Sequence, residues 1–145
     1  MFLDQVIFKG KVKNGFFIEA GAGDFEEDSN TLLFELDHGW SGLLVEPDPV
    51  IYPKGFSTHR KAWTTSTCLG LQDSPHIRGL FSQMAVQGGT EGLVQEPTDD
   101  TYEMQCFPLY SLIMALGMKT INYLSLDLDG AELGVILILM LISKI

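Results

Sequence analysis

The sequence predicts an α/β fold built on a parallel sheet, and three observations carry that prediction. Three apolar runs each lead into an acidic residue and a turn. A helical pattern separates the first two at the spacing of a strand–helix–strand unit. The third run lies far downstream and has a helical pattern of its own before it.

The first run is Phe16-Phe17-Ile18-Glu19-Ala20, followed by the turn Gly21-Ala22-Gly23-Asp24. The second is Gly42-Leu43-Leu44-Val45-Glu46, closed by Pro47, and the third is Ile121-Asn122-Tyr123-Leu124-Ser125-Leu126-Asp127, leading into Gly130. Strands buried on both faces read as continuous apolar runs of this kind. Between the first two, Ser29 or Asn30 suits a helix N-terminus and Gly39 its C-terminal end, with Leu32, Leu33 and Leu36 expected on one face. A second helix is expected from Leu109 to Leu116, stopped at Gly117.

Residues 64–107 have a different texture, with glycine pairs, Pro75, Pro97 and short alternating stretches. Ile77 to Gln83, Gly92 to Gln95 and Tyr102 to Phe107 read as short antiparallel strands inserted between the parallel ones. At the end of the chain, Leu133 to Ile142 is almost wholly apolar but shorter than the ~20 residues a helical membrane span requires. It reads as a buried helix or a tail that seeks a partner surface.

The 145 residues, 46% hydrophobic and 19% charged, suffice for a single domain with its own core. A formal net charge of -10, with nine Lys and Arg of which seven are scattered outside the small knot His59-Arg60-Lys61, argues against a nucleic-acid partner. The N-terminus lacks the basic flank and apolar core of a signal peptide, which points to the cytoplasm. Cys68 and Cys106 lack zinc-site spacing, and no other pattern speaks for a metal. They read either as two free core thiols or as one bridge in an oxidising compartment.

The turn after the first run has a physical use. Small residues let a backbone approach a ligand, and the helix that follows offers unpaired N–H groups. Glu46 stands 25 positions after Gly21, at the end of the next strand, where an acid can accept hydrogen bonds from ribose hydroxyls. The dinucleotide fingerprint is incomplete, because Glu26 occupies the place of its third glycine. Glu26, Glu27 and Asp28 would also repel a pyrophosphate. A cofactor with no phosphate, carrying a sulfonium and an amino group, suits this lining better, which favours S-adenosylmethionine over NAD. Asp127 closes the third run at the same sheet edge, with Asp129 and Glu132 within one turn. It caps the next helix or faces the ligand, and an N-cap at this edge can do both.

These segments, in this order, resemble the FkbM-type methyltransferase family. Phe17 to Asp24 with Ser29-Asn30-Thr31 is similar to its first cofactor motif, Gly39 to Pro47 to its second-strand acidic motif, and Tyr123 to Glu132 to its Asp-x-Glu-Gly-x-Glu block. Arg60-Lys61-Ala62-Trp63 through Cys68-Leu69, and Cys106 to Ser111, look most like an animal branch that includes the protein Star. The resemblance, spanning about Phe16 to Glu132, implies a Rossmann-like sheet with the first four parallel strands present, a short antiparallel insertion, and the C-terminal strands missing. It implies methyl transfer from S-adenosylmethionine, to a hydroxyl in many members. By position, Glu19, Gly21 and Gly23, with Asp24 in the same motif, would hold the methionine end of the cofactor. Glu46 would hold its ribose, and Ala62 would lie near adenine. Asp127 would face the reacting methyl region, with Asp127 or His59 as candidate base; no acceptor is implied.

Three departures from the family pattern stand out. Phe25 occupies the place of a glycine, a poor choice if the backbone there needs positive φ, and it would set a bulky ring beside the cofactor. Asp129 replaces the family's glutamate, and the chain ends soon after Glu132, as a truncated domain would. The alternative reading is a non-catalytic, Star-like protein that acts in vesicle trafficking through protein contacts in the endomembrane system.

Overall fold

The structure, a computed structural model, describes Phe8 and residues 12–81, 101–128 and 130–143. Among the described residues, seven strands and three α-helices follow one another. They are β1 (Phe16–Ala20), α1 (Leu32–His38), β2 (Ser41–Val45), β3 (Trp63–Thr65), β4 (Cys68–Leu69), β5 (His76–Phe81), β6 (Thr101–Phe107), α2 (Leu109–Ala115), β7 (Tyr123–Leu126) and α3 (Glu132–Ser143). A 3-10 helix, Tyr52–Ser57, lies between β2 and β3.

The main sheet has the order β3-β2-β1-β7, and every pair in it is parallel. This is the α/β, Rossmann-like arrangement expected, with the first strand in the interior and the order reversing on either side of it. Strand parity divides the core. Phe16, Ile18 and Ala20 of β1 join Leu43 and Val45 of β2 on the face covered by Leu109 of α2 and Val135 of α3. Phe17 and Leu44 point the other way, to Phe34 and Trp40 at α1 and just beyond it. Phe34 and Trp40 stack with centroids 4.7 Å apart. Glu19 has the parity of Phe17, so its carboxylate emerges on the α1 face; that placement matters below.

The pattern of α1 differs from the sequence reading. Leu36 is 68% exposed, and Phe34 is the buried residue of this helix. The Leu stripe follows the helical period, but the sheet takes its contact from the one aromatic in it. Ser29 caps the helix from two residues before Thr31, its hydroxyl accepting the N–H groups of Thr31 and Leu32 at 3.3 and 3.2 Å. Gly39 ends α1 with φ 66°, its N–H closing on the carbonyl of Phe34. Gly39→Ala is therefore expected to cost about 1 kcal/mol, the left-handed penalty of a Cβ, read as a lowered urea midpoint.

The inserted strands form a second, three-stranded sheet of order β4-β6-β5. β5 and β6 pair antiparallel as expected, whereas β4 and β6 pair parallel. Gly92 to Gln95, Gln83 and Asp129 fall outside the described residues. Cys68 and Cys106 stand opposite each other in the β4–β6 register and are joined as a disulfide, both buried. Of the two readings the sequence allowed, the structure shows the bridge.

The apolar tail forms α3, which packs on the core through Val135 and Leu139 and leaves Leu133, Leu137, Met140 and Leu141 exposed. No described helix is long and apolar enough to cross a membrane.

Candidate functional site

Parallel strands present their carboxyl ends on one edge, and the turns after β1, β2 and β7 meet there. The turn after β1 begins by crossing to β2, with the N–H groups of Gly21 and Ala22 donating to the carbonyl of Val45 at 3.1 and 3.2 Å. On its other side, the N–H of Asp127 donates to the carbonyl of Ala20 at 3.0 Å. Gly21 has φ 77°, and a Cβ placed on it would run into the Asp127 carbonyl and lie 3.4 Å from the Asp127 Cβ. Three strand ends are thus drawn together at a residue that has no room for a side chain. Around Gly23 the opposite holds: a Cβ there would meet nothing within 4 Å.

Glu46 follows β2 and folds back onto that turn. Its Oε2 accepts the N–H of Gly23 at 2.9 Å and its Oε1 the N–H of Asp48 at 2.8 Å. The residue is 7% exposed, and burial, the largest influence, raises its pKa above the ordinary 4.5; the two backbone N–H bonds oppose that shift, and the neighbouring Asp48 adds to it. The folded state therefore holds this proton more tightly than the unfolded chain. Stability from this residue is complete below pH 4.5 and is lost as pH rises through the raised folded value. Urea midpoints between pH 4 and 8 are expected to fall with pH more steeply in the wild type than in Glu46→Gln, which does not titrate.

Asp48 sits beside it, 1% exposed. One oxygen accepts the N–H groups of Val50 and Ile51 at 2.7 and 3.1 Å, while Oδ2 is buried with no partner among the described residues. Asp127 is exposed, and its carboxylate makes no hydrogen bond among the described residues. The capping expected of Asp127 falls to Glu132, whose Oε1 accepts the N–H groups of Leu128 and Gly130 at 2.8 and 3.2 Å. Those backbone bonds, with one from its own N–H foremost, lower the Glu132 pKa. Asp127 stands exposed just after β7.

The remaining predicted residues divide. Asp24 shapes the turn, its Oδ1 accepting the N–H groups of Glu26 and Glu27 at 3.0 and 2.8 Å. Glu19, 3% exposed, has both oxygens turned to the loop before α1: Oε1 accepts the N–H of Asn30 at 2.7 Å, and Oε2 accepts the hydroxyls of Ser29 and Thr31 at 2.8 and 2.5 Å. Ala62 precedes β3 and packs against the cluster around Phe17 and Leu44. It stands at the amino end of the strand, because β3 runs from Trp63 toward Thr65 in parallel with Leu43 to Val45. The residues of that segment nearest the carboxyl edge are Thr65 and those after it.

Phe25 does take positive φ, at 76°. Its ring is 1% exposed and packs edge-on to Tyr52 at 5.7 Å, over the bare Cα of Gly55. Burial of the ring removes it from the open edge where it was expected to stand, and compensates the backbone strain.

Arg60 is the residue the sequence reading overlooked. Its side chain is 2% exposed, and Nε donates to Glu35 Oε2 at 2.9 Å. The only signal for it was the basic knot His59-Arg60-Lys61, which carries no information on a partner 25 residues away.

A parallel sheet with a glycine turn and a strand-end acid meeting at its switch point defines a Rossmann-like α/β class of protein. The Methyltransferase FkbM domain matches residues 18–141, and the chain belongs to that family. No curated protein and no solved structure matches the chain.

Proposed function

We propose that this chain binds S-adenosylmethionine at the carboxyl edge of the main sheet and supports methyl transfer to a hydroxyl. The observation that carries the proposal is the Glu46 carboxylate folded onto the Gly23 N–H, with Asp127 beside Gly21, exposed and its carboxylate without a hydrogen bond among the described residues. An edge with spare carboxylate acceptors and open space above Gly23 suits a ligand rich in hydroxyl and ammonium donors. When bound, the cofactor supplies an activated methyl group on its sulfonium.

The residues of the chain bind and orient. Each Glu46 oxygen already takes one backbone N–H and keeps a lone pair for a ribose hydroxyl. Gly21 and Gly23 bring backbone close to the methionine end, and Asp127 takes its ammonium or the proton of the acceptor hydroxyl. Glu19 and Asp24 serve that end through the loop they shape. Methyl transfer is an in-line displacement, so placement of the two reactants supplies most of what the protein contributes.

Calorimetric titration tests this reading. Saturable one-site binding of S-adenosylmethionine and of its demethylated product is expected. No binding by a folded sample would overturn it, and would favour the second reading, a non-catalytic role through protein contacts in the secretory pathway. The Cys68–Cys106 bridge is the feature that speaks for an oxidising compartment. Mass spectrometry of the non-reduced protein is expected to find the two thiols missing.

A further inference from the structure

The loop from Asp24 to Asn30 has no regular structure, and two of its residues, Phe25 and Asp28, hold positive φ without being glycine. Such a path persists only where its surroundings impose it. Two buried side chains do so. From below, Glu19 gathers Ser29, Asn30 and Thr31. From the segment that enters β3, Arg60 makes four bonds. Besides Glu35, it donates from Nη1 to the carbonyl of Phe25 at 2.5 Å and to Ser29 Oγ at 3.0 Å, and from Nη2 to Thr31 Oγ1 at 2.9 Å.

The two hydroxyls are shared. Each accepts from Arg60 and donates to Glu19, so the guanidinium is joined to the Glu19 carboxylate through Ser29 and Thr31 and to Glu35 directly. Glu35 is held from a second direction by the N–H of Lys61 at 2.5 Å. The guanidinium also lies over the Phe17 ring, 5.6 Å from its centroid. A planar fork can meet this set of acceptors in one orientation only.

We propose that Arg60 is the positioning residue of the cofactor site: its fork sets the path of the Phe25–Thr31 loop and thereby places the Gly23 N–H against Glu46. The link is short. Arg60 holds the Phe25 carbonyl, Phe25 N–H donates to Ala22 at 2.9 Å, and Gly23 between them donates to Glu46. Displacement of Phe25 moves the turn on which Glu46 rests. The inference rests on the proposed cofactor site for its functional meaning, and on the loop itself for its geometry.

Arg60→Lys keeps a positive charge beside Glu35 and discards the fork. In amide NMR spectra of this variant, Gly23, Phe25 and Asn30 are expected to shift and exchange faster, while Ile18 and Leu44 hold their positions. Affinity for S-adenosylhomocysteine is expected to fall about tenfold, the scale of one charge-assisted hydrogen bond, in protein that remains folded. Unmoved loop amides, or binding within about twofold of wild type, would overturn the proposal. Should Arg60→Lys not fold, Ser29→Ala removes one hydroxyl bridge and keeps every charge; it is expected to move the same amides, and their staying put would overturn the proposal equally. A wild-type chain that binds no S-adenosylhomocysteine would remove the cofactor reading, while the loop amides would still decide the role of Arg60.

Discussion

Gly21→Ala is expected to cost about 2–5 kcal/mol of stability, the left-handed penalty plus the overpacking of a crowded site. The backbone at Gly21 has φ 77°, and a Cβ there would collide with the backbone carbonyl of Asp127, which cannot swing aside as a flexible side chain could. That carbonyl belongs to the strand end whose N–H already bonds Ala20, so relief must come from parting β7 from β1. Gly23→Ala is the control. It carries a comparable φ of 56° but meets nothing within 4 Å, so about 1–2 kcal/mol is expected. Urea unfolding of the two variants separates backbone strain from steric crowding; equal losses would mean that the three strand ends do not meet as described.

Glu46→Ala is expected to weaken S-adenosylmethionine binding by about 1.5–3 kcal/mol, or roughly 10–150-fold, the worth of hydrogen bonds to a charged group. Part of that loss would come from the turn, because the N–H groups of Gly23 and Asp48 lose their acceptor as well. Titration against pH isolates the ligand's share. Ribose hydroxyls donate to the ionised carboxylate, so binding favours the form that burial disfavours. Wild-type affinity is expected to rise as pH climbs through the raised Glu46 value, and the slope should vanish in Glu46→Ala. Insensitivity of binding to the substitution would place the ribose elsewhere.

Much of this was legible before any coordinates. The runs Phe16–Ala20 and Gly42–Glu46 are largely apolar, as strands covered on both faces are, and the places of Gly21 and Glu46 at their ends followed; the strands observed are Phe16–Ala20 and Ser41–Val45. Less legible was what covers each face. Leu32, Leu33 and Leu36 gave a helical stripe, yet Phe34 fills the space, because packing selects by shape where periodicity counts only polarity. Ala62 illustrates another limit. Its place beside the family's motifs suggested the ligand edge, but the register of β3 against Leu43 to Val45 sets it at the opposite end of the strand.

By itself, the sequence determined the strand–turn–helix–strand order, the parallel sheet and the acid at the end of β2, since these depend on local pattern and short spacing. Only the tertiary structure decided which charges act together. Arg60 joins Glu35 and the hydroxyls bound to Glu19 across 25 to 31 residues of chain, and Cys68 joins Cys106. Such pairings are settled by which side chains the fold brings within about 3 Å in a site closed to water, where each polar group must find a partner, and no local pattern encodes that distance.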